Sequence, residues 1–417
     1  MSADAGLYQE IEGRIEEAVR GQGVRLSTVR RLALLTTGLL AAKSSAMGPL
    51  ASGLWEVGAS TARVASIERR LRRSLNDRGL TAKRCYAPAA RTMIGWSGLV
   101  ARQRPVVLAL DESSQDERVH LLRVSLTYWG TGVPLAWAIW PQNEAMEAGA
   151  YWQHLDAVLE QVAALLPPGL TVIMTADRAF DIAPFIDRIA ARGWHWVVRL
   201  KVEGSHRFRD RLGREQALKT LLHRVIPIPG RRWKARGQLF KGAGWRDASI
   251  IATWAPGAKE RLVVLTDLPP TWEPLRVYDR RFWIEAGFRS DKTTGWQWEA
   301  CRITALTRIE RLLVAMAWAT LLVICLGLQE ARSRLQAVAQ PAPAPSRATR
   351  PTRPPAIPQP SRHSLFTLGL SLARRWLART AVPIVRWRLT HLSSLSWNAR
   401  WLQAQAYQFV FPRTVRL

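Results

Sequence analysis

The chain has 417 residues, of which 60 are Lys or Arg and 32 Asp or Glu, a formal charge of +28. Only eight of the cations are lysines, so 52 are arginines, whose forked guanidinium groups grip phosphate oxygens in pairs. A basic excess of this size points to a polyanionic partner, while the hydrophobic share of 48% is that of a globular protein and excludes a disordered one. The three cysteines, Cys85, Cys301 and Cys325, are far apart, and the seven histidines form no His-x-x-x-His pair. That argues against a disulfide framework and a structural zinc site, and leaves carboxylate oxygens as the main metal ligands available.

Residues 1–100 read as helical. Leu7, Ile11, Ile15 and Val19 recur at helical spacing, and Leu32–Ala42 and Met47–Val57 are further apolar stretches. In Ser60–Leu75 an apolar stripe of Val64, Ile67, Leu71 and Leu75 leaves Arg63, Arg69, Arg70, Arg72 and Arg73 on the other faces. A small helical DNA-binding domain is expected here, a merely solvated basic face being the plainer alternative. The early acidic residues and the lack of an apolar leader predict a protein that is not exported.

From Pro105 the texture changes. Continuous apolar runs that end in an acid, VVLALD (106–111) and TVIMTAD (171–177), predict buried strands. Leu121–Trp129 and Val133–Trp140 read as a hairpin, Ala145–Leu166 as a helix, Pro184–Arg192 as a short helix and residues 194–200 as a fifth strand. Residues 202–272 then predict a β-rich insert with basic turns. Helix returns over about Leu275–Asp291 and Ala305–Leu328. Leu312–Leu328 is seventeen residues without a charge, at the lower limit for a membrane span. Without an aromatic belt or a one-sided basic cluster it reads better as a helix buried in a core, here expected under the sheet and neighbouring helices. Residues 338–362 are a Pro/Ala/Arg tract of linker type, and 371–402 a basic, Trp-rich segment.

Asp111 and Asp177 share one context, the end of an apolar strand, where carboxylates of an α/β sheet can gather around divalent cations. Glu112, Asp116, Asp181 and Asp187 are nearby competitors. In VYDRRFWIEAGFRSDK, a helix would bring Tyr278, Arg281, Glu285 and Lys292 within roughly 60° of arc and turn Asp279 and Asp291 away. One acid among two cations and a phenol suits a metal ligand whose neighbours hold DNA phosphates; the plain alternative is a solvated Arg–Glu pair.

The spacing Tyr278-x2-Arg281-x3-Glu285-x6-Lys292 resembles the signature of the YREK group of bacterial insertion-sequence DDE transposases. Asp177-Arg178 and the LALDES segment at Asp111 resemble that family's aspartate segments, although Ala179-Phe180 match its second one loosely. The resemblance covers about 105–330. It implies an α/β RNase H-like catalytic core interrupted by a β-rich insertion, with an N-terminal helical domain and a C-terminal basic tail. The domains expected are 1–100, DNA-binding; 101–201, first part of the core; 202–272, insertion; 273–335, last core helices; 336–363, linker; and 364–417, basic tail.

The function it implies is two-metal cleavage and joining of DNA at element ends. Asp111, Asp177 and Glu285 would hold two Mg²⁺ ions, with Mn²⁺ able to substitute, and Tyr278, Arg281, Lys292 and Arg178 would contact DNA. Trp254 would stack on a flipped base, Trp233 and Trp245 being alternatives. Double-stranded DNA is the expected partner, a homodimer the expected form on DNA, and the bacterial cytoplasm, near the nucleoid and away from membrane, the expected place. A nuclease of the same fold that does not join, and an inactive DNA-binding derivative, remain the competing readings.

Overall fold

The computed structural model describes residues 6–96, 105–115, 118–339, 364–377 and 387–389. The described residues divide into two compact units, one made of residues 6–95 together with those from 290 onward, the other of residues 96–289. The first opens with α1 (Gly6–Val19), α2 (Leu26–Ala42), α3 (Met47–Glu56), α4 (Val64–Ser74) and, after a π-helical turn at Ala82–Tyr86, α5 (Ala87–Met93). The predicted stripes are the buried ones. Leu7, Ile11, Ile15 and Val19 of α1 and Ile67 and Leu71 of α4 are all inside, while Arg69, Arg70, Arg72 and Arg73 remain exposed.

The second unit is built on a sheet of ten strands among the described residues. Its first strands are β1 (Val106–Gln115), β2 (Val119–Tyr128) and β3 (Thr131–Pro141), followed by α6 (Ala150–Leu165), β4 (Val172–Ala176), α7 (Ala183–Ala190) and β5 (His195–Arg199). The hairpin β2–β3 turns at Trp129-Gly130, both with positive φ, a tighter connection than the expected Gly-Thr-Gly turn. Then come β6 (Arg207–Arg209), β7 (Glu215–Ala217), α8 (Leu218–Val225), β8 (Arg232–Leu239), β9 (Arg246–Thr253), β10 (Leu262–Thr266), α9 (Glu273–Asp279) and α10 (Phe282–Arg289).

The order across the sheet is β3-β2-β1-β4-β5-β10-β9-β8-β6-β7. β1, β4 and β5 are parallel, β2 is antiparallel to β1, and β10 is antiparallel to β5. The first five strands form the RNase H-like half, and the β-rich insert continues the same sheet from the edge of β5. β4 is buried throughout and β1 over 106–110, because both faces are covered; that is why they read as unbroken apolar runs.

The helical unit is completed by α11 (Leu306–Ala339) and α12 (Leu365–Leu377). α11 runs past the expected end at Leu328. By length and composition it could cross a membrane, yet 94% of its most apolar window is buried inside the protein. The helical part of its expected cover comes from α2, α12 and the π-turn before α5, and the expected core segment 273–335 is divided at 289/290. Polar anchors cross this interior, with Trp318 Nε1 donating to Cys85 O at 2.7 Å and Trp296 Nε1 to Thr320 Oγ1 at 2.9 Å. Most of the Pro/Arg tract and most of the basic C-terminal segment lie outside the described residues.

Ala315 and Ala319 of α11 are fully buried among these helices. Aspartate at either position is expected to cost roughly 3 kcal/mol or more, since a buried carboxylate there meets no partner. Urea unfolding of Ala319→Asp beside wild type measures it; equal midpoints would show the position to be open.

Candidate active site

Register places the two strand acids. β1 and β4 pair in parallel from Val106↔Val172 to Leu110↔Ala176, so Asp111 and Asp177 are the next residues on adjacent strands. Neighbouring strands lie ~4.8 Å apart. Side chains alternate along a strand, so Asp111 shares a face with Val107, and Asp177 shares one with Ile173. Val107 and Ile173 pack in one cluster with Val197, Val264, Val277 and Tyr278. Both acids therefore belong to the face covered by α9, which carries Val277 and Tyr278. β1 itself continues to Gln115, beyond the expected end at Asp111.

The expected single helix over 275–291 is broken. α9 ends at Asp279, Arg280 and Arg281 form a turn, and α10 starts at Phe282. The break seats Tyr278 fully inside the apolar cluster, its hydroxyl without a hydrogen-bond partner, so no phosphate reaches it in this arrangement. Arg281, only 7% exposed at its side chain, lies between the acids. Its Nη1 donates to Asp111 Oδ2 at 3.0 Å and its Nη2 to Glu285 Oε1.

α10 gets close enough for this contact because two glycines meet. A β-carbon at Gly132 of β3 would stand 3.1 Å from Ile284 Cα and 3.2 Å from Trp283 O, and one at Gly287 would stand 3.2 Å from Gly132 O.

Burial dominates the electrostatics. It pushes the Asp111 carboxyl up to about 6, and the negative charges of Asp177 and Glu285 add to the rise; Arg281 and the Glu112 backbone N–H oppose it. Arg281 is itself desolvated, but the surrounding acids and Tyr278 outweigh this and hold it firmly charged. Asp111 is 15% exposed and Glu285 45%, so the group opens to solvent on the Glu285 side. Among the described residues no set of three or more His, Cys, Asp or Glu side chains is closed up around a metal position. What fits Mg²⁺ is the donor chemistry: three carboxylates coupled by charge, with a guanidinium cation between two of them.

The competing acids have other partners. Glu112 points to the opposite face, where it binds His120 Nε2 at 2.7 Å and accepts from Tyr151 Oη at 2.5 Å. Burial would raise its carboxyl, but these two hydrogen bonds hold it below its ordinary value. Asp181 accepts from Lys201 N and contacts His206 Nε2, and Asp187 binds Arg246. Asp116 lies outside the described residues.

Arg178 follows Asp177 directly and is 56% exposed, with Glu260 at 3.9 Å. Lys292 lies in the π-helical turn Ser290–Thr294, within the helical unit, so the expected arc is divided between the units. Trp254 is half-buried just past β9; its Nε1 donates to Ala258 O and Arg261 covers its ring at 4.5 Å. Arg209 lies over Trp245 at 4.0 Å and Phe208 meets Trp233 edge-on. Of these indoles, then, Trp254 and Trp245 already have a guanidinium over the ring.

Arg123 was missed by sequence reasoning. It pairs directly with Asp111 across β1–β2, is buried, and lies over the Phe288 ring at 4.1 Å beside Gly287. An arginine inside the apolar run LLRVSL is the signal that could have found it.

Residues 130–322 match the family model of the transposase DDE domain. That stretch, somewhat under half of the chain, is similar to the DDE domain of transposases. It includes Asp177 and Glu285. Among solved structures the chain is similar to a piggyBac transposase synaptic complex with hairpin DNA, at 10% identity and a TM-score of 0.41, over 99% of this chain and 86% of that one. No curated protein matches the chain.

Gly132→Ala is expected to destabilise the sheet unit by about 1–3 kcal/mol by forcing α10 off β3. Chemical denaturation reads the loss; wild-type stability would show that α10 can yield without cost.

Proposed function

We propose that the protein cleaves and joins DNA at the ends of a mobile element, with Asp111, Asp177 and Glu285 as the acidic triad that binds two Mg²⁺ ions. The observation that carries this is the bridge made by Arg281 from Asp111 to Glu285, beside an Asp177 brought alongside by strand register.

Bound divalent ions supply charge stabilisation for the attacking and leaving oxygens of an in-line phosphoryl displacement. The chain's own residues do the rest. Asp111 and Asp177 are fixed by two hydrogen-bonded strands, so their carboxylates keep their spacing with little loss of entropy on binding. Glu285, more exposed and on a short helix, completes the set from the open side. Arg281 partly offsets the charge of the acids while no cation is bound, and once they are otherwise neutralised its donors are free to hold a phosphate oxygen. Arg178 lies at the solvent side of Asp177 and takes a backbone phosphate, as does Lys292; these contacts position the duplex without reading its sequence. Tyr278 supports the turn from beneath. Double-stranded DNA is the substrate, and a homodimer would hold two ends together for joining.

Asp111→Asn, Asp177→Asn and Glu285→Gln are each expected to lower Mg²⁺-dependent nicking and strand transfer from a pre-cleaved 3′-hydroxyl end by at least about 10³-fold. Duplex binding in EDTA should persist. Near wild-type cleavage by any one of them removes that residue from the triad, and nicking without transfer would replace the transposase reading by a nuclease.

Stability gives a readout apart from activity. The folded Asp111 carboxyl at about 6, against 3.8 unfolded, favours the protonated form in the fold. Its stabilisation is complete below pH 3.8 and is lost as pH rises through 6, by about 3 kcal/mol at most. Without divalent ions Asp111→Asn should therefore melt no lower than wild type at pH 7.5, and Mg²⁺ should raise the melting temperature of wild type only. A variant melting well below wild type there would mean that the Arg281 contact outweighs desolvation.

A further inference from the structure

In the helical unit, a cleft of about 550 Å³ is lined by Gly23, Val24, Arg25, Thr28, Arg31, Asn76, Asp77, Arg78, Gly79 and Arg84. Four guanidinium groups thus face one carboxylate, and none of these cations belongs to the acidic site.

Two of the arginines are fixed. Arg31 Nη1 donates to Asp77 Oδ2 at 2.7 Å, and that same oxygen accepts from Thr28 Oγ1 at 2.9 Å while Gly79 N binds the other one. Asp77 is desolvated, but Arg31, Gly79 and Thr28 together hold its carboxyl below the ordinary range, so it is spent on positioning Arg31 and the 76–79 turn. Arg84 reaches back with Nε and Nη2 to Gln22 O, and with Nη2 to Gly23 O. A guanidinium has five donors, so each fixed arginine keeps some free. Arg25 and Arg78 are exposed and have no side-chain partner among the described residues. α2 also starts at the cleft with Arg25 as its N-cap and no side chain capping it, which adds the positive end of a seventeen-residue helix.

Preformed donors, two unpaired cations and a concave shape are the chemistry of a phosphate seat. We infer that this cleft binds a backbone phosphodiester of duplex DNA, with Arg25 and Arg78 as its mobile contacts and Arg31 and Arg84 as its rigid walls. This rests on the transposase reading for the identity of the polyanion. The contact is to phosphate alone, so it anchors the helical unit on any sequence.

The test is fluorescence anisotropy of full-length protein with two unrelated duplexes, in EDTA, over a salt series, for wild type, Arg25→Ala/Arg78→Ala and Arg25→Lys/Arg78→Lys. The alanine pair is expected to lose about two units of slope in log K against log salt, and roughly ten- to a hundredfold in affinity at 0.1 M salt, equally on both duplexes. The lysine pair should keep most of the slope, and melting temperatures should match, because neither side chain has an internal partner to lose. Calorimetric titration with ATP and with inorganic phosphate separates the small-anion source. If the alanine pair abolishes binding of those anions but leaves duplex affinity and slope intact, the cleft is not a DNA seat. An unchanged slope on a wild type that binds duplex overturns the cleft alone, whereas a wild type that binds no duplex overturns the transposase reading with it.

Discussion

Strand register is the constraint on which the acidic site depends. β1 and β4 are parallel, adjacent and paired up to Leu110 and Ala176, so the next residue on each is an acid at the same height and on the same face. Slipping either strand by one residue would turn its acid to the opposite face, where Glu112 and Tyr151 already bind each other. The apolar residues below the acids, Val107 and Ile173, fix that register by packing against Val277 and Tyr278. The core that holds α9 on the sheet is thus the same core that orients Asp111 and Asp177, and Tyr278 contributes to it through packing.

Charge is distributed by the same logic. Arg281 and Arg123 are buried cations on the acidic face, one bonded to Asp111 and Glu285, the other opposite Asp111 across the strands. Arginine suits such positions because its fork serves two acceptors at once and it cannot shed its proton. Among the described residues many other cations are on surfaces such as the outer face of α4. The described cations thus have two roles: a few buried guanidiniums that partly offset the acids, and exposed ones available to a polyanion.

The strands were legible because their burial is two-sided: runs such as VVLAL and VIMTA admit few other readings, and the acid that ends each run is visible in one dimension. Helical spacing likewise gave α1 and α4. Four features were not legible. The wheel over 275–291 assumed an unbroken helix, but the turn at Arg280-Arg281 rotates α10 relative to α9, burying Tyr278 while keeping the Arg281–Glu285 contact. A helix apolar on all sides carries no directional information, so α11 could be recognised as buried, but not that α2 and α12 in particular cover it. Strand pairing is non-local, so nothing in 202–272 announced that its strands extend the sheet from β5. Arg123 was hidden by its surroundings, a single cation inside an apolar strand.

The acidic site also works against the stability of the fold that supports it. Burial raises the Asp111 carboxyl, and the charges of Asp177 and Glu285 add to the rise, so near neutral pH the ionised acid carries a desolvation cost that Arg281 offsets only in part. In the proposed metal site a cation would relieve that cost, so part of what the unliganded state loses would return as binding free energy. The cost is tolerable here because it falls on strands buried on both faces, whose apolar packing does not depend on the acids. Placed on an edge strand, the same acids could separate by fraying. On β1 and β4, in the middle of the sheet, they are held side by side, so relief comes from neutralisation, by a proton or by the cations of the proposed site, rather than from the backbone.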